Sequence, residues 1–243
     1  MPAMIATLWQ WWAHSDAGLA VRILAGVGFF AGLAFWDIKR HGREARRWRE
    51  YLFLLTAVLG AMAYGIVNDQ VTVTISWEYF YYGKELAPAL GPVTPPADGP
   101  LRWEAAKVGM KATWTAGLLI GAAMLMANSL KKKFPFLPVR QLYGLLAGIA
   151  LPTVVLAGLG GAAGRLGWLS WLGDFRILET YDLWRPARFM SVWGIHLGAY
   201  LGGALGTVWA VWIITKIRRA SPCAAAAGPP GPAGNEETED RWE

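Results

Sequence analysis

Two carboxylates and an imidazole are the side chains of this sequence best suited to chemistry. Asp69 and Glu78 bracket the run Asn68-Asp69-Gln70-Val71-Thr72-Val73-Thr74-Ile75-Ser76-Trp77-Glu78, and His196 stands far along the chain among Gly194, Gly198 and Ala199. Such groups can take up and release a proton, hold a small cation, or supply oxygen and nitrogen ligands suited to zinc, manganese or iron(II). Cations accompany them: Lys107 and Lys111 at i and i+4, Arg185 and Arg188, and Arg22. An ionisable group in apolar surroundings normally pairs or faces a water-filled cavity. Two readings therefore stand. In the first, Asp69 pairs with Lys107 or Lys111, and Glu78 with Arg185 or Arg188, to tie down one end of the molecule. In the second, Asn68, Asp69, Gln70, Glu78, Lys107, Lys111, Arg188 and His196 form one polar cluster that binds a small ion, a proton or a polar solute.

A metal-dependent enzyme is a further alternative, with Asp69, Glu78 and His196 as ligands, but its signal is thin. The chain has three histidines, no His-Glu-x-x-His helix motif and no Glu-x-x-His pair. His41 lies in a basic loop and is expected to be solvated, on the opposite side of a membrane from His14. No Gly-x-Ser-x-Gly elbow, phosphate-binding loop or dinucleotide glycine fingerprint is present. The single cysteine, Cys223, excludes a disulfide framework and a cysteine metal site. No cofactor is identified by these residues.

The elements that must position these groups are membrane helices. Of the 243 residues, 55% are apolar and only 16% charged, against about 25% charged in a typical soluble domain. Fifteen tryptophans and 29 glycines suit interfacial anchors and close helix contacts. Five windows approach the ~20 apolar residues that cross a bilayer: 19–36, 51–67, 105–128, 142–163 and 190–214. Residues 1–18 lack Lys and Arg but hold Trp9, Trp11 and Trp12, so they are expected to form an interfacial segment that is not a cleaved signal. The 219–243 tail, Ala, Pro and Gly followed by acids, is expected to be disordered. The fold class is then an all-α bundle of about five transmembrane helices, with a small extracytoplasmic cap.

That cap is expected to hold a short β-like segment, because Val71 to Ser76 alternate apolar and hydroxyl side chains. Residues 87–100, rich in Pro and Gly, read as an extended loop. Trp168, Trp171, Phe175 and Tyr181 among Asp174, Glu179 and Asp182 read as an interfacial helix or cap.

Charge sets the orientation. Lys39, Arg40, Arg43, Arg46, Arg47, Arg49, then Lys131, Lys132, Lys133, Arg140, then Lys216, Arg218 and Arg219 all fall on one side, which the positive-inside rule makes cytoplasmic. The N-terminus is expected outside and the C-terminus inside, in an inner (plasma) membrane. The +6 net charge thus follows membrane topology, and no nucleic-acid partner is expected.

Glycines recur every fourth residue at Gly194, Gly198, Gly202 and Gly206, at Gly109, Gly117 and Gly121 with Thr113, at Gly144 and Gly148, at Gly160 and Gly164, and at Gly28 and Gly32. Such faces let helix backbones approach closely. They serve either a compact bundle or a partner, a homo-oligomer or membrane complex built through the Gly194–Gly206 face.

The run Tyr64-Gly65-x-x-Asn68-Asp69-Gln70-Val71-Thr72-x-x-Ile75-Ser76-x-Glu78-Tyr79-Phe80 resembles the signature of a family of uncharacterised bacterial multi-pass membrane proteins. Arg188-Phe189-Met190 through His196, then Tyr200-Leu201-Gly202-Gly203, is similar to a second block of that family. The resemblance implies no activity. It implies a pairing of the mouth of the second helix with the fifth, and a family in which the position of Asn68 is often His and that of Trp77 often Pro. This chain then lacks one potential ligand. The expectation is an accessory or structural membrane protein with an outward-facing polar cavity, the alternatives being an ion, proton or small-solute transporter and the metal-dependent enzyme.

Overall fold

The computed structural model describes residues 15–45, 47–129, 134–169 and 183–220. The N-terminal segment to residue 14, the aromatic and acidic stretch 170–182 and the tail beyond residue 220 lie outside the described residues.

Five helices are long and apolar enough to cross a membrane. They are α1 (Asp16–His41), α2 (Arg47–Ile75), α3 (Asp98–Ser129), α4 (Val139–Arg165) and α5 (Pro186–Ala220). Each contains one of the five apolar windows and extends past it. The shortest, at 26 residues, is about 39 Å long at 1.5 Å per residue, more than the ~30 Å hydrocarbon core. The extra turns are polar and are fixed by side-chain caps that hydropathy does not register. Ser15 caps α1 by accepting the Gly18 N–H at 2.9 Å. Asp37, buried near the end of α1, accepts the Trp48 N–H at 3.0 Å and so satisfies a free donor in the first turn of α2.

The β-like segment is not formed. Val71 to Ile75 continue α2, and the described residues contain no strand. The hydroxyls in the run explain the difference. Thr72 Oγ1 donates to the Asn68 carbonyl at 2.9 Å and Thr74 Oγ1 to the Gln70 carbonyl at 2.9 Å, each satisfying its side chain inside the helix. A lone strand at this depth would leave its backbone groups unpaired. The helix breaks at Ser76, whose Oγ accepts the Tyr79 N–H at 3.4 Å. One π-helical turn, Tyr79–Gly83, follows. The stretch expected to be an extended loop holds a short helix, Ala87–Leu90, and the start of α3, leaving only residues 91–97 irregular.

Two antiparallel pairs make the bundle, α2 with α3 and α4 with α5. Along the α4–α5 seam Gly164 meets Met190, Gly160 meets Gly194, Gly198 meets Leu156, Gly202 meets Pro152 and Gly206 meets Ile149. A Cβ on Gly160, Gly164, Gly194 or Gly198 would fall onto a facing carbonyl oxygen. Gly65 and Gly109 oppose each other in the same way across the α2–α3 seam, and Gly117 lies on Ala57. The Gly194–Gly206 face is therefore filled by α4, and no second chain can use it while that contact stands. On α1, Gly28 and Gly32 have no atom within 4 Å of where a Cβ would sit, so the close contact expected there is not made.

Alternating helix directions gather Lys39, Arg40, Arg140, Arg218 and Arg219 at one end. That end is closed by Arg218, which is 2% exposed and donates to the carbonyls of Ala127 (2.6 Å), Pro135 (3.1 Å) and Phe134 (3.2 Å). Asn128 and Leu137 exchange two hydrogen bonds beside it. His41 is not simply solvated: its Nδ1 lies 2.9 Å from Asp37 Oδ1.

Gly160→Ala or Gly194→Ala should destabilise the bundle by about 1–3 kcal/mol through overpacking. Gly158→Ala, where nothing lies within 4 Å, should be neutral or raise stability, since alanine favours helix by up to about 1 kcal/mol over glycine. Thermal unfolding of the three variants in one detergent checks the contrast. Arg218→Met should cost at least about 2 kcal/mol in the same assay, because it strips charged donors from three carbonyls.

Candidate functional site

His196 sits ten residues into α5, about 15 Å below its start, because α5 begins at Pro186 and so runs deeper than its apolar window suggests. Two residues past Gly194, its side chain projects about 200° around the helix from the face packed on α4. It meets Asp69, one turn past Gly65 on α2. His196 Nε2 lies 3.7 Å from Asp69 Oδ1, beyond hydrogen-bond length but within reach of an ion pair. His196 is 8% exposed and Asp69 3%. Asn68 Nδ2 donates to Asp69 Oδ1 at 3.2 Å. His196 Nε2 is buried and has no hydrogen-bond partner.

The π-helical turn supplies the walls. Tyr79 stacks on the imidazole with centroids 5.0 Å apart and planes 12° from parallel, while Phe80 meets it edge-on at 6.4 Å. Phe189 also packs against Tyr79, with ring centroids 5.3 Å apart. Lys84 lies over the Tyr79 ring at 5.4 Å. A π turn re-aims side chains that an unbroken α-helix would splay, which is why such turns are frequent at functional sites. Burial pushes the Tyr79 hydroxyl above its usual pKa, reinforced by Tyr200 and Asp69. Burial pushes the Lys84 ammonium below the usual lysine range, and the charge of Asp69 acts against that shift.

The remaining residues expected in one cluster are divided among separate contacts. Lys107 pairs with Asp16 at 2.5 Å and Glu104 at 2.7 Å, joining α3 to the start of α1. Among the described residues neither Lys107 nor Lys111 forms an ion pair with Asp69. Gln70 Nε2 donates to the Arg102 carbonyl at 2.9 Å, a tie between α2 and α3. Glu78 is 3% exposed and accepts the Trp184 N–H at 2.6 Å. It lines a cavity of about 200 Å³ with Arg185 and Arg188, yet forms no ion pair with either among the described residues. The proposed pairs Asp69–Lys107, Asp69–Lys111 and Glu78–Arg are thus replaced by Lys107–Asp16, Asp69–His196 and Glu78 with a backbone donor. The physical reason is that the extended helix ends bring nearer partners than the apolar windows imply.

Among the described residues no three His, Cys, Asp or Glu side chains converge to hold a metal ion. Asp69 and His196 supply two donors, and Glu78 is turned to Trp184. What the pair can do is hold a proton or bind a small polar group between a carboxylate and an imidazole. Tyr79, Phe80 and Lys84 were not marked as site residues by type or spacing. Tyr79 and Phe80 carry only the signals of adjacency to Glu78 and membership of the signature run, and Lys84 carries neither, because stacking on His196 depends on the π turn.

Five apolar helices around a buried carboxylate–imidazole pair define a multi-pass membrane protein. Among protein-family models, curated proteins and solved structures, none matches the chain.

Asp69→Asn removes the charge that supports the Lys84 ammonium, so Lys84 should titrate at still lower pH than in the unaltered protein. Carbon-13 NMR of reductively methylated lysines, with Lys84→Arg to assign the signal, reads the direction.

Proposed function

We propose that this is an accessory membrane protein whose working part is a polar binding centre, Asp69 with His196, opening toward the extracytoplasmic side of a bacterial inner membrane. The orientation rests on the basic residues gathered at the opposite end. The observation that carries the reading is the orphaned His196 Nε2. A buried polar atom left unpaired costs about 1–3 kcal/mol, and native structures keep such atoms mainly where a ligand, water or ion completes them. A phenylalanine would fill the same aromatic box without that penalty. The guest is a small polar solute able to bridge a carboxylate and an imidazole.

Proton or ion transport is the second reading, favoured by placing an acid and a base 3.7 Å apart within the span. The glycine seams weigh against it, because they press the helix backbones together over several turns toward the other end and favour a centre served from one side.

Purified protein should be screened for thermal stabilisation by small cations, carboxylates, amines and neutral polar solutes. One class should stabilise the unaltered protein, by about 2.7 kcal/mol at a hundredfold excess over Kd. Asp69→Asn and His196→Phe should each abolish that response, while His196→Phe alone leaves basal stability equal or higher. A screen in which no class separates the unaltered protein from both variants refutes the binding reading. Proton flux in proteoliposomes that depends on both residues would favour transport.

A further inference from the structure

A second feature at the same end of the bundle is independent of the Asp69–His196 pair. Arg165 closes α4, Arg188 lies in the first turn of α5 and Ile75 closes α2. Between them opens a cavity of about 440 Å³ lined by Thr74, Ile75, Arg165, Arg188 and Ser191. It adjoins the 200 Å³ cavity that Arg185 and Arg188 share with Glu78. None of the three guanidiniums forms an ion pair with a carboxylate among the described residues, and no carboxylate is among the described residues lining the larger cavity.

This arrangement departs from the charge pattern of the chain. Basic residues are scarce at this end, yet Arg165 and Arg188 line one concave space, and Arg185 lines the cavity beside it. Thr74 and Ser191 already donate their hydroxyl protons to the carbonyls of Gln70 and Gly161, so the guanidiniums are the donors the cavity offers. A planar guanidinium presents paired N–H groups that match phosphate oxygens. The surroundings fix the depth: Leu166, Trp168 and Trp184 are 62%, 67% and 75% exposed beside the two helix ends. Exposed tryptophans at helix ends mark the level of lipid headgroups.

We propose that the groove between Arg165 and Arg188 binds a phosphate group, supplied by the headgroup of an anionic phospholipid at the membrane face. A soluble phosphate would present the same oxygens, so the test must part the two sources.

Full-length protein in a neutral detergent is incubated with phosphatidylglycerol, with phosphatidylcholine, or with inorganic phosphate alone, and native mass spectrometry counts the retained molecules. The unaltered protein should retain phosphatidylglycerol over phosphatidylcholine by about tenfold, the scale of one charge-assisted hydrogen bond. Arg165→Gln with Arg188→Gln should lose that preference. Arg140→Gln, at the opposite end of α4, should keep it and controls for general loss of positive charge. Inorganic phosphate that binds the unaltered protein and not the double variant, with no lipid preference, upholds the phosphate site and overturns the lipid source. Equal retention of both lipids by all three proteins, with no phosphate bound, overturns the proposal. Circular dichroism of the double variant establishes that it is folded.

Discussion

Direct backbone contact between helices is the constraint on which the rest of this protein depends. Lipid tails are as apolar as leucine side chains, so a hydrophobic driving force between spans is largely absent and close van der Waals packing must hold them. Glycine at every fourth position supplies it along α4 and α5, and again where Gly65 opposes Gly109. Once these seams close, the rotation of each helix about its axis is no longer free. With Gly194, Gly198 and Gly202 against α4, His196 has to project away from α4, and it meets Asp69. The polar pair is thus a consequence of the apolar packing.

The same constraint explains how polar groups are distributed. Each buried ionisable side chain is assigned to the nearest helix terminus or partner. Asp37 caps α2, Arg218 gathers three carbonyls at the basic end, Lys107 joins α1 to α3 through Asp16, and Glu78 takes a backbone N–H. These residues hold the loops to the bundle. His196 stands apart because its Nε2 is buried and has no hydrogen-bond partner. It is enclosed by the π-helical turn Tyr79–Gly83. That combination separates the proposed binding centre from the structural ties around it.

Much of the fold was legible in the residues. Five apolar windows became five helices, and the glycine spacing marked the α4–α5 and α2–α3 seams, though not a contact at Gly28, Gly32 or Gly144. The errors share a cause. Val71–Ser76 read as a strand because alternation of β-branched and hydroxyl residues is the local signal, whereas a chain at this depth must satisfy its backbone within the helix. The polar ends of the helices were missed because windows measure apolarity, and the caps at Ser15 and Asp37 act through single hydrogen bonds. Of the candidate cluster, the structure brings Asp69 and His196 together and gives Lys107 and Gln70 other partners, since residues at similar depth can face different neighbours.

The sequence by itself determined that this chain enters a membrane, how many times it can cross, where its helices can touch and which ends carry positive charge. Those properties are local or periodic, so composition and spacing encode them. Only the tertiary structure decided which side chains meet. The rotation set by the glycine seams brought Asp69 to His196, the π turn laid Tyr79 on the imidazole, and the convergence of three helix ends placed Arg165 beside Arg188. Each of these depends on the relative angle and register of separate helices, a quantity that no single stretch of sequence carries.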